Sequence, residues 1–265
     1  MFMEGEQMQK FLLGLALLLS IQSNASENYK SAKREPGRSY LEYMREAMRQ
    51  PRESGGIGDT RSALDSAVSY GKSILPQPTE WATEAEMQQH FEAIRNERWM
   101  ETSDHKGFLR RSSWLYPDDG CFARAALAIM NLVKWKVTPA SKIFAFGNLD
   151  VKTSNSTQGH VTWWYHVAPL VRVANENYVL DPALEPKHPL KMDDWLKLMI
   201  SDTSQLRVAV CGSGSYAPYD TCQKETDGVE QEGLQDQESY LYNEWTRQEQ
   251  LNRDPEKVLG ELPPW

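Results

Sequence analysis

Cys121, His166 and Asp181 are three residues of reactive type, met in the order of a nucleophile, a base and an orienting carboxylate. Cys121 directly follows Gly120 and opens an apolar run in which Phe122, Ala125, Ile129, Leu132 and Val133 keep helical spacing to about residue 136. A helix start presents unpaired backbone N–H groups and the positive end of the dipole, and both favour a thiolate. Gly120 adds no side chain over the sulfur. His166 lies in Trp-Trp-Tyr-His-Val-Ala (163–168), a strand-like segment whose alternation puts it on one face with Trp164 and Ala168. Asp181 follows Tyr-Val-Leu (178–180) and precedes Pro182, where a carboxylate can orient an imidazole on a neighbouring strand. Thiol, imidazole and carboxylate are the parts of acyl transfer through a thioester. Each has a plainer reading too: a buried core thiol, a packed strand histidine, a turn-forming aspartate before proline. On spacing alone both readings stand.

Little else competes for chemistry. His90 falls on a capped helix, and His105, His160 and His188 fall in loop-like sequence. No pair of Cys or His has metal-ligand spacing, and no glycine-rich phosphate loop occurs, so neither metal nor organic cofactor is expected. Cys211 and Cys222 bracket Gly-Ser-Gly-Ser-Tyr-Ala-Pro-Tyr-Asp-Thr, a turn-rich loop that a disulfide would close, leaving Cys121 as the odd thiol.

The elements that must position these residues run helices first, then strands. Residues 40–49 suit one short helix with Leu41, Met44 and Met48 on a face, stopped by Pro51. A connector rich in Gly follows at 51–59, and Pro76 and Pro78 mark a second boundary. Thr83 and Glu86 form a capping-box pattern ahead of Met87, Phe91 and Ile94. Asp118 or Asp119 is placed to cap the helix of Cys121. Strands are expected at 142–147, 162–173, 178–180 and 206–211, with Pro169 arguing for an edge, bulge or break. A helix from Asp193 and Asp194 carries Trp195, Leu198 and Met199. This is an α+β pattern, a helix layered on a small antiparallel sheet.

The chain has 265 residues, 40% hydrophobic and 25% charged, with net charge −8, which excludes a collagen-like, wholly disordered or broadly basic nucleic-acid-binding protein. Residues 223–265 hold eleven acidic against four basic residues, an acidic tail that most simply serves solubility. The apolar run at 11–21 is about half of a membrane span and fits the core of a secretory signal cut after Ala25. Export to an oxidising compartment, without stable membrane insertion, is the expectation.

Tyr-Pro-Asp-Asp-Gly-Cys-Phe-Ala-Arg-Ala (116–125) resembles the nucleophile segment of the bacterial protein-glutaminases, secreted enzymes that deamidate glutamine in proteins. Phe-Gly-Asn-Leu (146–149), Trp-x-Tyr-His-Val-Ala (163–168) and Leu-Asp-Pro-Ala-Leu (180–184) resemble three more of the family's segments, in the same order, over roughly residues 85–215. The resemblance implies a papain- or transglutaminase-like core with a catalytic triad on Cys121, His166 and Asp181, no cofactor, and glutamine-containing proteins or peptides as substrates. Trp163, Trp164 and Tyr165 are candidates to line a groove for the glutamine stem, with core packing as their plainer role. A transglutaminase-like acyltransferase, a cysteine protease or amidase, and a non-catalytic binding module are the alternatives. The organisation expected is a signal at 1–25, an extension or pro-segment at 26–78, a catalytic domain at 79–222 and the tail at 223–265. Within the extension, the helix at 40–49 is the part expected to lie nearest Cys121.

Overall fold

The computed structural model describes residues 30–49, 61–226 and 231–260. The expected signal sequence and the connector at 51–59, with Pro51, lie outside those residues. The described elements are α1 (Tyr40–Ala47), α2 (Ala63–Ser66), β1 (Val68–Ser69), α3 (Glu84–Asn96), α4 (Cys121–Lys134), β2 (Ser141–Lys152), β3 (His160–Val173), β4 (Glu176–Val179), β5 (Leu190–Lys191), α5 (Met192–Met199), β6 (Arg207–Cys211), α6 (Gln231–Gln250) and α7 (Pro255–Leu259). The strands form one antiparallel sheet in the order β1-β6-β2-β3-β4-β5.

α4 lies at the centre. It is apolar nearly all round, with small Ala123, Ala125, Ala126 and Ala128 between Phe122, Leu127, Ile129 and Leu132, and every residue from Cys121 to Leu132 is buried. A helix of that kind needs cover on more than one side. β3 supplies one side and α6 another. α3 begins as expected, with the Thr83 hydroxyl accepting from the Glu86 backbone N–H, and buries Met87, Phe91 and Ile94. The sheet's core is aromatic: Phe144, Phe146, Trp163, Trp164, Tyr165 and Trp195 are buried within it.

Several expectations give way to packing. α1 buries Tyr43, Met44 and Ala47, while Leu41 and Met48 face solvent, because Tyr43 stacks on Trp164 with ring centroids 5.8 Å apart. α5 buries Leu196 rather than Leu198 beside Trp195 and Met199. Pro169 neither ends nor bends β3. It pairs with Lys142 on one side, and its missing N–H falls just past the last β3–β4 pair, where its carbonyl still accepts from Leu180 (2.9 Å).

The boundary expected near residue 78 does not match the packing. Ala63, Leu64 and Ala67 belong to the core, the Ala63 and Leu64 N–H groups donate to Asp220 and Pro218, and β1 is an edge strand on β6. Residues 30–49 run beside β3, joined to it by a bridge between Lys33 and Trp163. The acidic C-terminus is no loose tail either. α6 buries Gln237, Leu241, Glu244 and Gln248, and Glu244 bonds to both Arg110 (2.5 Å) and the Leu115 N–H (2.7 Å).

Cys211 and Cys222 are joined, and Cys121 is a free, buried thiol. Closing a loop with a sequence separation of 11 constrains the unfolded chain by roughly 3 kcal/mol. The double variant Cys211→Ser, Cys222→Ser is therefore expected to lose about 3 kcal/mol of unfolding free energy in denaturant titrations. A loss under about 0.5 kcal/mol would show that the bridge does not restrain the unfolded state.

Candidate active site

The turn ahead of α4 is built from Asp119, Gly120 and Arg124. Gly120 is the helix N-cap at φ +81°, a left-handed conformation that side chains rarely adopt. Neither Asp118 nor Asp119 caps the helix by its side chain, because that backbone twist aims them elsewhere. Asp119 Oδ1 accepts from the Gly120 and Ala32 N–H groups, both at 2.8 Å, and Asp118 pairs with Arg247. Arg124, one turn beyond Cys121 and itself buried, donates to the Tyr116 and Asp119 carbonyls at 3.1 and 2.7 Å. It thereby ties the loop to the helix that it precedes.

Cys121 is buried against β3, and the Val167 N–H, next to His166, donates toward its sulfur. Burial pushes the thiol up to about 12, against the pull of Arg124 and that N–H. The thiolate expected from the helix start is thus suppressed: in this covered conformation Cys121 is a neutral thiol.

His166 and Asp181 are brought together. Nε2 lies 2.7 Å from Asp181 Oδ2, and both side chains are buried. The same oxygen accepts from Trp195 Nε1 at 2.9 Å. Burial opposes the Asp181 charge, but His166, Trp195 and Arg124 outweigh it and hold the carboxyl below the usual range. With Nε2–H directed to the carboxylate, Nδ1 is the ring's basic atom, and it has no hydrogen-bond partner among the described residues. Trp163 stacks on one side of the imidazole (4.5 Å) and Trp195 lies on another (5.4 Å).

Trp195, Arg124 and Asp119 escaped the sequence reading as site residues. The only signals were an indole N–H on a core-facing position, which must find an acceptor, and a charged residue inside an apolar helix. The alternation expected along β3 also breaks. A register shift between Phe146 and Leu149, opposite Trp163–Tyr165, turns Trp163 onto His166 and Trp164 onto Tyr43. None of Trp163, Trp164 and Tyr165 lines an open groove. Trp163 Nε1 donates to the Pro117 carbonyl (2.9 Å), Trp164 Nε1 to the Ser31 carbonyl (2.7 Å) and the Tyr165 hydroxyl to the Lys30 carbonyl. All three are buried as core and as a seat for residues 30–32.

Two segments cover the site. Residues 32–34 run beside β3, with Ala32 O accepting from Trp164, Lys33 bridging Trp163 and Arg34 donating to Thr162. These residues and Lys30, rather than α1, lie nearest the Cys121 turn. From the other side the Tyr240 ring of α6 abuts Gly120, so close that a Cβ there would sit 2.7 Å from Tyr240 Cδ2. The approach expected to be open is filled. Among the described residues no group of three or more His, Cys, Asp or Glu is arranged to hold a metal ion.

Comparison with known proteins gives a family match and distant structural neighbours. Residues 87–199 match the glutaminase family model, a span that includes Cys121, His166 and Asp181. One solved protein-glutaminase structure is similar at 20% identity, covering 70% of this chain and 93% of its own with a TM-score of 0.42. The protein-glutaminase from Chryseobacterium proteolyticum gives 20% identity, 69% and 91% coverage, and 0.41. A mutant pro-protein-glutaminase gives 18% identity and 0.42, with 75% of this chain matched to 66% of its own length. No curated protein matches.

Proposed function

We propose, from the match of residues 87–199 to the glutaminase family model, that the chain is an exported protein-glutamine glutaminase, hydrolysing side-chain amides of protein-bound glutamine to glutamate and ammonia. One observation carries the assignment of roles. His166 is clamped through Nε2 by Asp181 while its Nδ1 has no partner among the described residues, beside a helix that starts with a free thiol packed on the next residue of the same strand. Imidazole orientation, carboxylate and nucleophile then fall to His166, Asp181 and Cys121, the arrangement of a papain- or transglutaminase-like core.

In this reading Nδ1 takes the thiol proton and Cys121 Sγ attacks the carboxamide carbon. The backbone N–H of Cys121 donates to the developing oxyanion. His166 returns its proton to the nitrogen, and ammonia leaves. Water, deprotonated by His166, cleaves the thioester to glutamate and restores the thiol. Asp181 keeps the ring in its working tautomer and stabilises the imidazolium. Every step uses this chain's own groups and water.

Export agrees with the closed disulfide, and among the described residues no helix is long and apolar enough to cross a membrane. Residues 1–25 would be the signal, 30–49 a removable cover, and 61–226 the working domain.

The test mixes the protein, after release of residues 30–49, with a blocked glutamine-containing peptide and an amine donor, and reads products by mass. Conversion of glutamine to glutamate with ammonia release supports the proposal. Amine incorporation makes the chain a transglutaminase, backbone cleavage a protease, and no reaction leaves only a binding module.

A further inference from the structure

α6 covers one side of α4, yet much of its inward face is polar. Its inward face carries Gln237, Glu244 and Gln248, all buried, with Leu241 as the buried large apolar residue among them. Neither the oxygen nor the nitrogen of the Gln237 carboxamide has a hydrogen-bond partner among the described residues, and the Gln248 amide nitrogen lacks one too. Water would satisfy those groups if the helix lifted, so the docked state is held at their expense. Glu244 anchors the helix away from the site, through Arg110 and the Leu115 N–H, while a second set of contacts bears on the Cys121 turn. Arg247 makes a two-pronged bond to Asp118 at 2.7 and 3.0 Å, and Tyr240 presses its ring on Gly120. Asp236 accepts from the Tyr216 hydroxyl (2.7 Å) and pairs with Lys30 (3.4 Å), and Lys30 also pairs with Glu232.

We propose that α6 is a second, displaceable cover over Cys121, whose closing element is the Tyr240 ring and whose clasp to the N-terminal cover is Lys30. The Lys30 ammonium joins two segments that are 206 residues apart in sequence. Loss of either segment removes that clasp from the other, so the two covers open in a coupled way. This rests on Cys121 as the reactive thiol, but its test does not depend on catalysis.

The experiment follows iodoacetamide labelling of Cys121 in the full chain, the other two cysteines being bridged. Tyr240→Ala is expected to label on the order of tenfold faster than the parent, and Tyr240→Phe, which keeps the ring, at the parent rate. Lys30→Glu should also quicken labelling, by reversing the clasp. Gln237→Leu removes the unpaired amide and should slow labelling while raising Tm. Because this last variant gains stability, it guards against a Tyr240→Ala that merely unfolds. Unchanged labelling in folded Tyr240→Ala, or in a Gln237→Leu with raised Tm, would overturn the proposal. A peptide assay that fails while these rates shift as expected would remove the glutaminase reading and leave the cover standing.

Discussion

Cys121→Ala is expected to abolish ammonia release from peptide glutamine, a fall on the order of 10⁶-fold, with the circular dichroism spectrum unchanged. The substitution removes only a sulfur from a helix start that Gly120, Asp119 and Arg124 hold by backbone contacts. His166→Ala should match it, since without Nδ1 neither the thiol nor the water can be deprotonated. Asp181→Asn should retain more, losing about 10⁴-fold, because it orients rather than reacts. Trp195→Phe tests that orientation separately. Its N–H helps to hold the Asp181 carboxyl below the usual range, so its loss lets that pKa rise and moves the acid limb of the kcat/KM profile to higher pH. The sign carries over to stability. A carboxyl whose folded pKa is depressed contributes stability above about pH 4, and loses it as pH falls through the folded value. Parental activity in Cys121→Ala would remove the thioester mechanism, and an unmoved acid limb in Trp195→Phe would remove the role given to that indole.

Local chemistry made much of this arrangement legible in sequence. A threonine and a glutamate three residues on mark the start of α3, and the glycine before Cys121 marks a turn into an apolar helix; such features depend on neighbours within one turn. The antiparallel run of strands was legible for the same reason, through alternation and short turns. What the sequence hid depends on distant partners. The pairing of β2 with β3 slips near Gly147 and Asn148, and that slip decides which tryptophan meets His166. α6 reads as an acidic, soluble tail because its buried face uses glutamine and glutamate, and Glu244 becomes a core residue only through Arg110, 134 positions away. Likewise Leu41 and Met48 look like the inner face of α1 until Tyr43 finds Trp164. Periodicity reports which faces could be buried, while the register and the partner decide which one is.

Release of residues 30–49 is expected to switch the proposed activity on. Lys30, Ser31 and Ala32 are held by Tyr165, Trp164 and Asp119, three side chains grouped around the Cys121 turn, and α1 seals the outer side through Tyr43. No polypeptide substrate can reach the sulfur past them. The cover also disarms the thiol, since burial is the first cause of its pKa of about 12. Removing it readmits water but leaves Arg124, the Val167 N–H and the helix start, all of which favour the thiolate, so the pKa should fall to or below the ordinary value of about 8.5. A site for a specific protease placed within residues 51–59 allows cleavage ahead of α2, whose Ala63 and Leu64 are core residues, and of β1, an edge strand of the sheet. After cleavage and separation of the leader, initial rates on a glutamine peptide should rise by more than about tenfold. The pH profile of Cys121 labelling should gain an inflection near or below about 8.5, where the uncleaved chain has none. The direction matters: a thiol protonated throughout the neutral range in the covered chain becomes partly ionised there once uncovered, and gains reactivity without any new residue. Equal rates and the same labelling profile before and after separation, in proteins of equal Tm, would mean that residues 30–49 decorate the site without restraining it.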